Sequence, residues 1–155
     1  MGEPAPIRIR LPLPPSTNAL YRTVRVAGGK GTGTRRVSSS EARAFRRAAL
    51  PILDLIDGAP EHVEALGLGR HGYWSISLAA FFTSPHRRDL DDVLKLTIDV
   101  LAEGLRLADN RLVDLHASKY LAPTDPRVEI EIEAFADWSF GDERAVLGPE
   151  HPADG

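Results

Sequence analysis

The stretch RVEIEIEAF, residues 127–135, alternates apolar and acidic residues along its length. Successive side chains of a β-strand point to opposite faces, so this pattern predicts a strand with one buried face and one wet face. Val128, Ile130 and Ile132 would then face a core, and the three glutamates would face solvent. A sheet built from such strands must be covered on one side only, which favours helices packed on that side.

Four further stretches carry strand signals, and two carry helix signals. Pro12 restricts the strand IRIRLPL to an edge or an end of its sheet. A Ser38–Glu41 capping box is predicted to begin the first helix, and Gly104 to cap the end of the second. We interpret GAPEHVEALGLGRHG as a loop. The remaining strands are predicted at 7–13, 20–26, 73–82 and 111–122, the helices at 38–57 and about 89–103, and the loop at 58–72.

These elements predict one α+β domain over residues 1–136, in which a mixed sheet of about four strands packs against two main helices. The Gly-rich segment within 27–36 is interpreted as a flexible basic loop, since it lacks the Walker phosphate-binding pattern. The Gly/Pro-rich, acidic segment 137–155 is predicted to be a disordered tail.

Composition excludes several classes of site. Cysteine is absent, so neither a disulfide framework nor a thiolate metal site or nucleophile is possible. No apolar run approaches the ~20 residues of a membrane span, and the first residues lack the apolar core of a signal peptide, so we expect a cytoplasmic protein without membrane contact.

The charge is unevenly distributed along the chain. Residues 1–50 carry ten Lys or Arg and two Asp or Glu, whereas residues 89–155 carry six and sixteen. This asymmetry suggests a polyanion-binding surface beside a cation-binding one, or else a basic arm and an acidic tail that only keep the chain in solution.

The stretch HRRDLDDVLKLTIDVLAEGLRLADN concentrates acidic residues around the second predicted helix. They are Asp89, Asp91, Asp92, Asp99 and Asp109. In one interpretation the first of them cap the helix and Asp91, Lys95 and Asp99 form ordinary i,i+4 pairs. In the other, the carboxylates hold a hard cation such as Mg²⁺ and the preceding arginines hold phosphates. The position directly after a buried strand and directly before a helix favours the second interpretation.

The motifs RRDLDDVLK, IDVLAEG and LADNRLVD resemble the core of the RusA-type Holliday junction resolvases, small endodeoxyribonucleases of bacteria and their phages. LPLPPSTNALYR and VSSSEARAFRR resemble that family's opening and first helix, so the resemblance spans about residues 7–135. The chain departs from the family pattern at Asp92, where an Asn is usual, at Ala108, where an Asp is usual, and at Arg111, which stands where the family has Gln.

The resemblance implies a function and its residues. Asp89, Asp91 and Asp109 would be the catalytic, metal-binding carboxylates, and Lys95 would assist catalysis. The metal would be Mg²⁺, with Mn²⁺ able to replace it. The family also implies a homodimer that binds a four-way DNA junction and resolves it by paired nicks, in recombination and repair.

A separate set of residues is predicted to contact DNA, because cations neutralise backbone phosphates and a neutral amide can hydrogen-bond to DNA. These residues are Asn18, Arg22, Lys30, Arg35, Arg36, Arg87, Arg88 and Lys119. Two other classes stay open: another D-x-D metal-dependent enzyme, such as a glycosyltransferase or an aspartyl-phosphate phosphatase, and a non-catalytic DNA-binding protein with an acidic helix start.

Overall fold

The structure, a computed structural model, describes residues 3–16, 21–27, 32–86 and 88–141. Their secondary structure comprises six strands and three helices: β1 (Ile7–Pro12), β2 (Tyr21–Ala27), β3 (Thr32–Ser38), α1 (Ser40–Asp57), α2 (Val63–His71), β4 (Tyr73–Phe82), α3 (Leu94–Leu105), β5 (Leu112–Leu121) and β6 (Arg127–Phe135). Short 3₁₀ turns at Pro60–His62, Leu90–Val93 and Asp109–Arg111 precede α2, α3 and β5.

Four strands form one mixed sheet in the order β1-β6-β4-β5. β6 pairs antiparallel with both β1 and β4, whereas β4 and β5 run parallel. A parallel pair needs a crossover connection, and α3 lies in the segment that provides it. The α+β architecture with a mixed four-stranded sheet is therefore confirmed. β2 and β3 form a separate antiparallel hairpin.

The alternation of apolar and polar residues in β6 matches its burial, because the apolar residues lie on one buried face of the strand. Val128, Ile130 and Ile132 are buried in the core together with the corresponding residues of β1 and β4, whereas Glu129 and Glu131 line the opposite face of the sheet. α1 and α3 cover the buried face, and their apolar stripes share the same core. Pro12 ends β1 at the edge of the sheet, as predicted.

The helices differ from the prediction in three places. The segment 58–72, predicted to be a loop, contains α2, so the sheet carries three helices. α1 is capped by Ser39, whose hydroxyl accepts a hydrogen bond from the Ala42 N–H at 3.1 Å, because Ser38 still belongs to β3. Gly104 lies inside α3 and does not end it; Arg106 is the C-cap, with a left-handed φ of 56°.

Pro51 remains within α1 and does not divide it. The predicted basic loop 27–36 is wrong where the structure describes it, because Ala27 ends β2 and residues 32–36 belong to β3; residues 28–31 lie outside the described residues. From residue 142 onward, the predicted tail also lies outside them. Within the part of the chain that is described, none of the helices combines the length and apolar character needed to cross a bilayer.

Candidate active site

Asp89 and Asp91 lie just beyond the carboxyl end of β4. β4 ends at Phe82, an irregular segment follows, and Asp89 then occupies the N-cap position of the 3₁₀ turn Leu90–Val93. Its carboxylate makes no capping hydrogen bond, although its backbone has the extended conformation that caps adopt (φ −89°, ψ 154°). Both carboxylates are exposed. The capping interpretation is therefore wrong for the Asp89 side chain, which is left available for another partner.

Because of the 3₁₀ turn, the charged residues predicted to share one helix do not all lie in it. α3 begins at Leu94, so Asp91 belongs to the turn and only Lys95 and Asp99 share the regular helix. Their side chains form an exposed i,i+4 ion pair at 3.4 Å. Such pairs are worth about 0.3–0.5 kcal/mol, so the Lys95 ammonium is held only weakly. The buried Thr97 hydroxyl donates to the Val93 carbonyl at 2.6 Å and stabilises the passage from the 3₁₀ turn into α3.

Arg88, directly before Asp89, is half-buried against the ring of Phe82. Its Cζ lies 5.6 Å from the ring centroid. Its Nε and Nη2 atoms are buried and have no hydrogen-bond partner among the described residues. Burial lowers the pKa of the guanidinium, and the nearby charge of Asp92 opposes that shift. A guanidinium never loses its proton near neutral pH, so Arg88 keeps a positive charge with unused donors beside the carboxylates.

Lys119 reaches the same segment from β5. Its Nζ donates to the carbonyl of Pro85 at 2.9 Å and to that of Arg88 at 2.5 Å, and it lies 5.1 Å from the centroid of Phe82. The sequence alone did not predict these contacts. A signal was present, because Lys119 interrupts the otherwise apolar alternate positions of β5, Leu115, Ala117 and Leu121.

Asp109 lies at the other end of the β4–β5 pair. The Trp74 indole donates to the Ala108 carbonyl at 2.7 Å, and Trp74 pairs with Leu112 at the start of β5. From Leu112 to Lys119, which contacts the Arg88 carbonyl, the strand extends by about 23 Å. Within one chain, Asp109 is therefore remote from Asp89.

Because Asp109 is remote from Asp89, a single chain does not bring the three predicted metal ligands together. Among residues 3–16, 21–27, 32–86 and 88–141, no three His, Cys, Asp or Glu side chains are grouped so that they could hold a metal ion. The chemistry of the two neighbouring carboxylates still suits Mg²⁺. This ion is commonly held by one or two carboxylates, with waters and substrate phosphates completing its octahedral shell.

The predicted DNA-binding residues fall into three groups. Arg22, Arg35 and Arg36 lie on the β2–β3 hairpin, where Arg22 pairs with Val37 and Arg36 with Thr23 in the strand register. Arg88 and Lys119 lie beside Asp89. The others, Asn18, Lys30 and Arg87, lie outside the described residues.

A groove of about 760 Å³ lies elsewhere, on the open face of the sheet. Its lining includes Arg8 and Glu131, which form an ion pair at 3.2 Å, and none of the predicted catalytic residues. The groove therefore carries paired charges of its own and is separate from the aspartates.

A comparison with protein-family models matches residues 73–133 to the family described as "Endodeoxyribonuclease RusA". The matched segment runs from the start of β4 into β6 and contains Asp89, Asp91, Lys95 and Asp109. The N-terminal motifs that share the resemblance lie outside it. A comparison with curated proteins gives no match. The segment that contains every predicted catalytic residue, residues 73–133, is therefore similar to the RusA endodeoxyribonucleases.

Proposed function

We propose that this protein is a Mg²⁺-dependent endodeoxyribonuclease that resolves four-way DNA junctions by paired nicks, in recombination and repair. One observation carries the proposal. Within the segment that matches the RusA family, Asp89 and Asp91 are exposed after the end of β4, and the Asp89 carboxylate is not used to cap the following turn. By the same family relation, we expect a cytoplasmic protein encoded by a bacterium or a phage.

Asp89 and Asp91 are the proposed metal ligands of each chain. A bound Mg²⁺, or Mn²⁺ in its place, would lower the pKa of a coordinated water and neutralise charge on the scissile phosphate. Asp89 is the N-cap of the 3₁₀ turn that leads into α3 and Asp91 lies within that turn, so the turn sets the separation of the two residues. This arrangement supports a site preorganised for one phosphodiester group.

Lys95 is proposed to stabilise the transition state. It lies one helical turn beyond Asp91, its side chain is about half exposed, and its ammonium pairs with the Asp99 carboxylate at 3.4 Å. A weak surface pair is readily exchanged for a stronger contact with phosphate oxygens. The ammonium would then lie against the oxygens on which negative charge accumulates during hydrolysis.

Asp109 is proposed to act as a metal ligand across a homodimer. The β4–β5 register separates it from Asp89 of its own chain by about 23 Å of strand. A ligand role for all three aspartates therefore requires that Asp109 reach the site from a second copy. In a two-fold dimer the exchange is reciprocal, which yields two equivalent sites and matches the two symmetrical nicks that junction resolution requires.

The edge strand β5 is the proposed dimer surface. β5 has no neighbour beyond β4 in the four-stranded sheet, and Leu115, Tyr120 and Leu121 on it are exposed. Exposed strand edges with apolar residues favour pairing with another chain. Antiparallel pairing of two β5 strands about a two-fold axis would place the beginning of one strand beside the end of the other. Asp109 of the partner subunit would then approach Asp89.

DNA binding is proposed to use basic residues beside the aspartates and on the hairpin. Arg88 flanks the candidate site and keeps its positive charge, which supports a phosphate contact, and Arg87 precedes it in the sequence. The hairpin supplies another group, Arg22, Arg35 and Arg36, with Lys30 and Asn18 nearby in the sequence. Each cation that neutralises a phosphate should steepen the dependence of affinity on salt.

The proposal is tested with a synthetic four-way junction labelled on each strand in turn. With Mg²⁺, we expect nicks on two strands of the same polarity, and no nicks on a linear duplex of the same sequence or on the junction in EDTA. Binding of the junction without any nick in Mg²⁺ or Mn²⁺ would contradict the proposed enzyme and favour a non-catalytic DNA-binding protein.

A further inference from the structure

We propose that Lys119 is a positioning residue that orients the segment leading into Asp89, and that it does not bind DNA phosphate. This inference rests on the proposed function, because it assigns a role within the same candidate site. The sequence suggested that this lysine contacts DNA phosphate. We propose instead that its contacts lie inside the protein.

The hydrogen bonds of Lys119 bridge a strand and an irregular segment. Its Nζ donates to the carbonyls of Pro85 and Arg88, at 2.9 Å and 2.5 Å, so one ammonium group joins two points that are three residues apart. Hydrogen bonds from a charged donor are stronger than those between neutral groups. The segment between β4 and the 3₁₀ turn is therefore anchored to β5, which also pairs with β4 along its length.

The second of these bonds acts directly on Asp89. The Arg88 carbonyl belongs to the same planar peptide unit as the Asp89 nitrogen, so a donor that fixes this carbonyl fixes the plane in which Asp89 begins. The orientation of that plane, together with the φ of −89° at Asp89, determines where the Asp89 side chain leaves the backbone. Lys119 thus acts on the position of a proposed metal ligand without contacting its carboxylate.

The ring of Phe82 lies close to the cationic groups of both Lys119 and Arg88. Lys119 Nζ and Arg88 Cζ lie 5.1 Å and 5.6 Å from its centroid, and Phe82 itself is buried. The ring face attracts positive charge, so it holds the ammonium toward the segment. Two of the three N–H donors of Lys119 are already used by carbonyls, which leaves little capacity for phosphate.

The experiment compares Lys119→Met, which keeps the length of the side chain but removes its donors, with Lys119→Arg, which retains a cationic donor. Arg8→Met is the matched control, because it removes one positive charge from the open face of the same sheet, where Arg8 is 81% exposed. Amide hydrogen exchange is measured on free protein by mass spectrometry. Nicking under single-turnover conditions, the Mg²⁺ concentration for half-maximal rate, and junction affinity across a salt series are then measured.

In Lys119→Met we expect amides of the segment 83–92 to exchange about tenfold faster, with exchange elsewhere unchanged. The nicking rate should fall and the Mg²⁺ requirement should rise, while junction affinity and its salt slope stay as in the wild type. Lys119→Arg should recover part of the rate, and Arg8→Met should match the wild type in all measurements.

Two results would overturn the inference. One is unchanged exchange over 83–92 in Lys119→Met. The other is weaker junction binding with a salt slope lower by about one, which is the signature of a lost phosphate contact. The exchange measurement needs no DNA or metal, so it tests the role of Lys119 even if the wild-type protein does not nick junctions.

Discussion

Gly104 of α3 lies directly against Leu53 of α1. A Cβ atom at position 104 would be 2.6 Å from Leu53 Cδ1 and 2.8 Å from Leu53 Cβ. Leu53 is fully buried, and its Cβ moves only with the backbone of α1, so the contact cannot be relieved by a rotamer change alone. The glycine, predicted from the sequence to be a helix cap, therefore serves the close packing of two helices.

We predict that Gly104→Ala destabilises the fold by about 1–2 kcal/mol, because the cost of overpacking exceeds the gain in helix propensity. Gly67→Ala is the matched control, since a Cβ at that position of α2 would meet no atom within 4 Å. It should be neutral or stabilising by up to about 1 kcal/mol. Urea unfolding of both variants measures the difference, and equal stabilities would contradict the packing account.

Asp57 links the ends of the three helices. Its carboxylate accepts hydrogen bonds from Arg70 and Arg106, and Arg70 also donates to the Leu105 carbonyl at 2.8 Å. The bond from Arg70 lowers the pKa of Asp57, while burial opposes this shift and Arg106 reinforces it. A lowered folded-state pKa means that the stabilisation is complete above the unfolded pKa and is lost as the pH falls through the folded value.

We therefore predict that Asp57→Asn lowers Tm by about 2–4 °C at pH 7. The difference from the wild type should shrink below about pH 4, near the unfolded pKa of an aspartate, as the wild-type carboxylate becomes protonated. Asp54→Asn, at an exposed position of the same helix, is the control and should leave Tm nearly unchanged. Thermal scans from pH 3 to pH 7 measure the effect, which a pH-independent difference would refute.

How well the sequence predicted each element depended on whether its signal was local. The alternation of β6 and the apolar run of β4 involve neighbouring residues, and both strands were predicted correctly. α2 was missed because its two glycines, Gly67 and Gly69, weaken the helical pattern. Packing against β6 and β4 stabilises it, and a single sequence does not report such contacts.

The site was predicted in part for the same reason. Asp89 and Asp91 are near each other in sequence, so their shared location at the end of β4 followed from local order. The position of Asp109 depends on the register of a parallel strand pair, and the contact between Lys119 and Arg88 joins residues 31 positions apart. No local pattern specifies either relationship, although the interruption of the apolar alternate positions of β5 marks Lys119 itself.

Lys95 should affect the rate of nicking more than binding. We predict that Lys95→Met lowers the single-turnover rate about 10²-fold, since it removes a cation that acts on the transition state. Junction affinity should change less than about threefold. Asp99→Asn removes the salt-bridge partner of Lys95 and serves as the control, with a rate close to the wild type. Equal losses of rate and affinity in Lys95→Met would instead indicate a ground-state DNA contact.

The proposed exchange of Asp109 between subunits predicts complementation. A heterodimer of Asp91→Asn and Asp109→Asn chains, purified through two different tags, would contain one site with all three aspartates intact and one site lacking two. It should nick at about half the wild-type rate, although each parent homodimer is inactive. An inactive heterodimer would show that Asp109 does not act across subunits.

The most direct test of the central claim, that Asp89 and Asp91 hold the catalytic metal, compares wild-type protein with Asp91→Asn on one labelled four-way junction in Mg²⁺. Single-turnover nicking and junction affinity are measured in the same buffer. We predict that Asp91→Asn binds the junction about as tightly as the wild type and nicks it about 10³-fold more slowly or not at all. Nicking by Asp91→Asn at the wild-type rate would contradict the account.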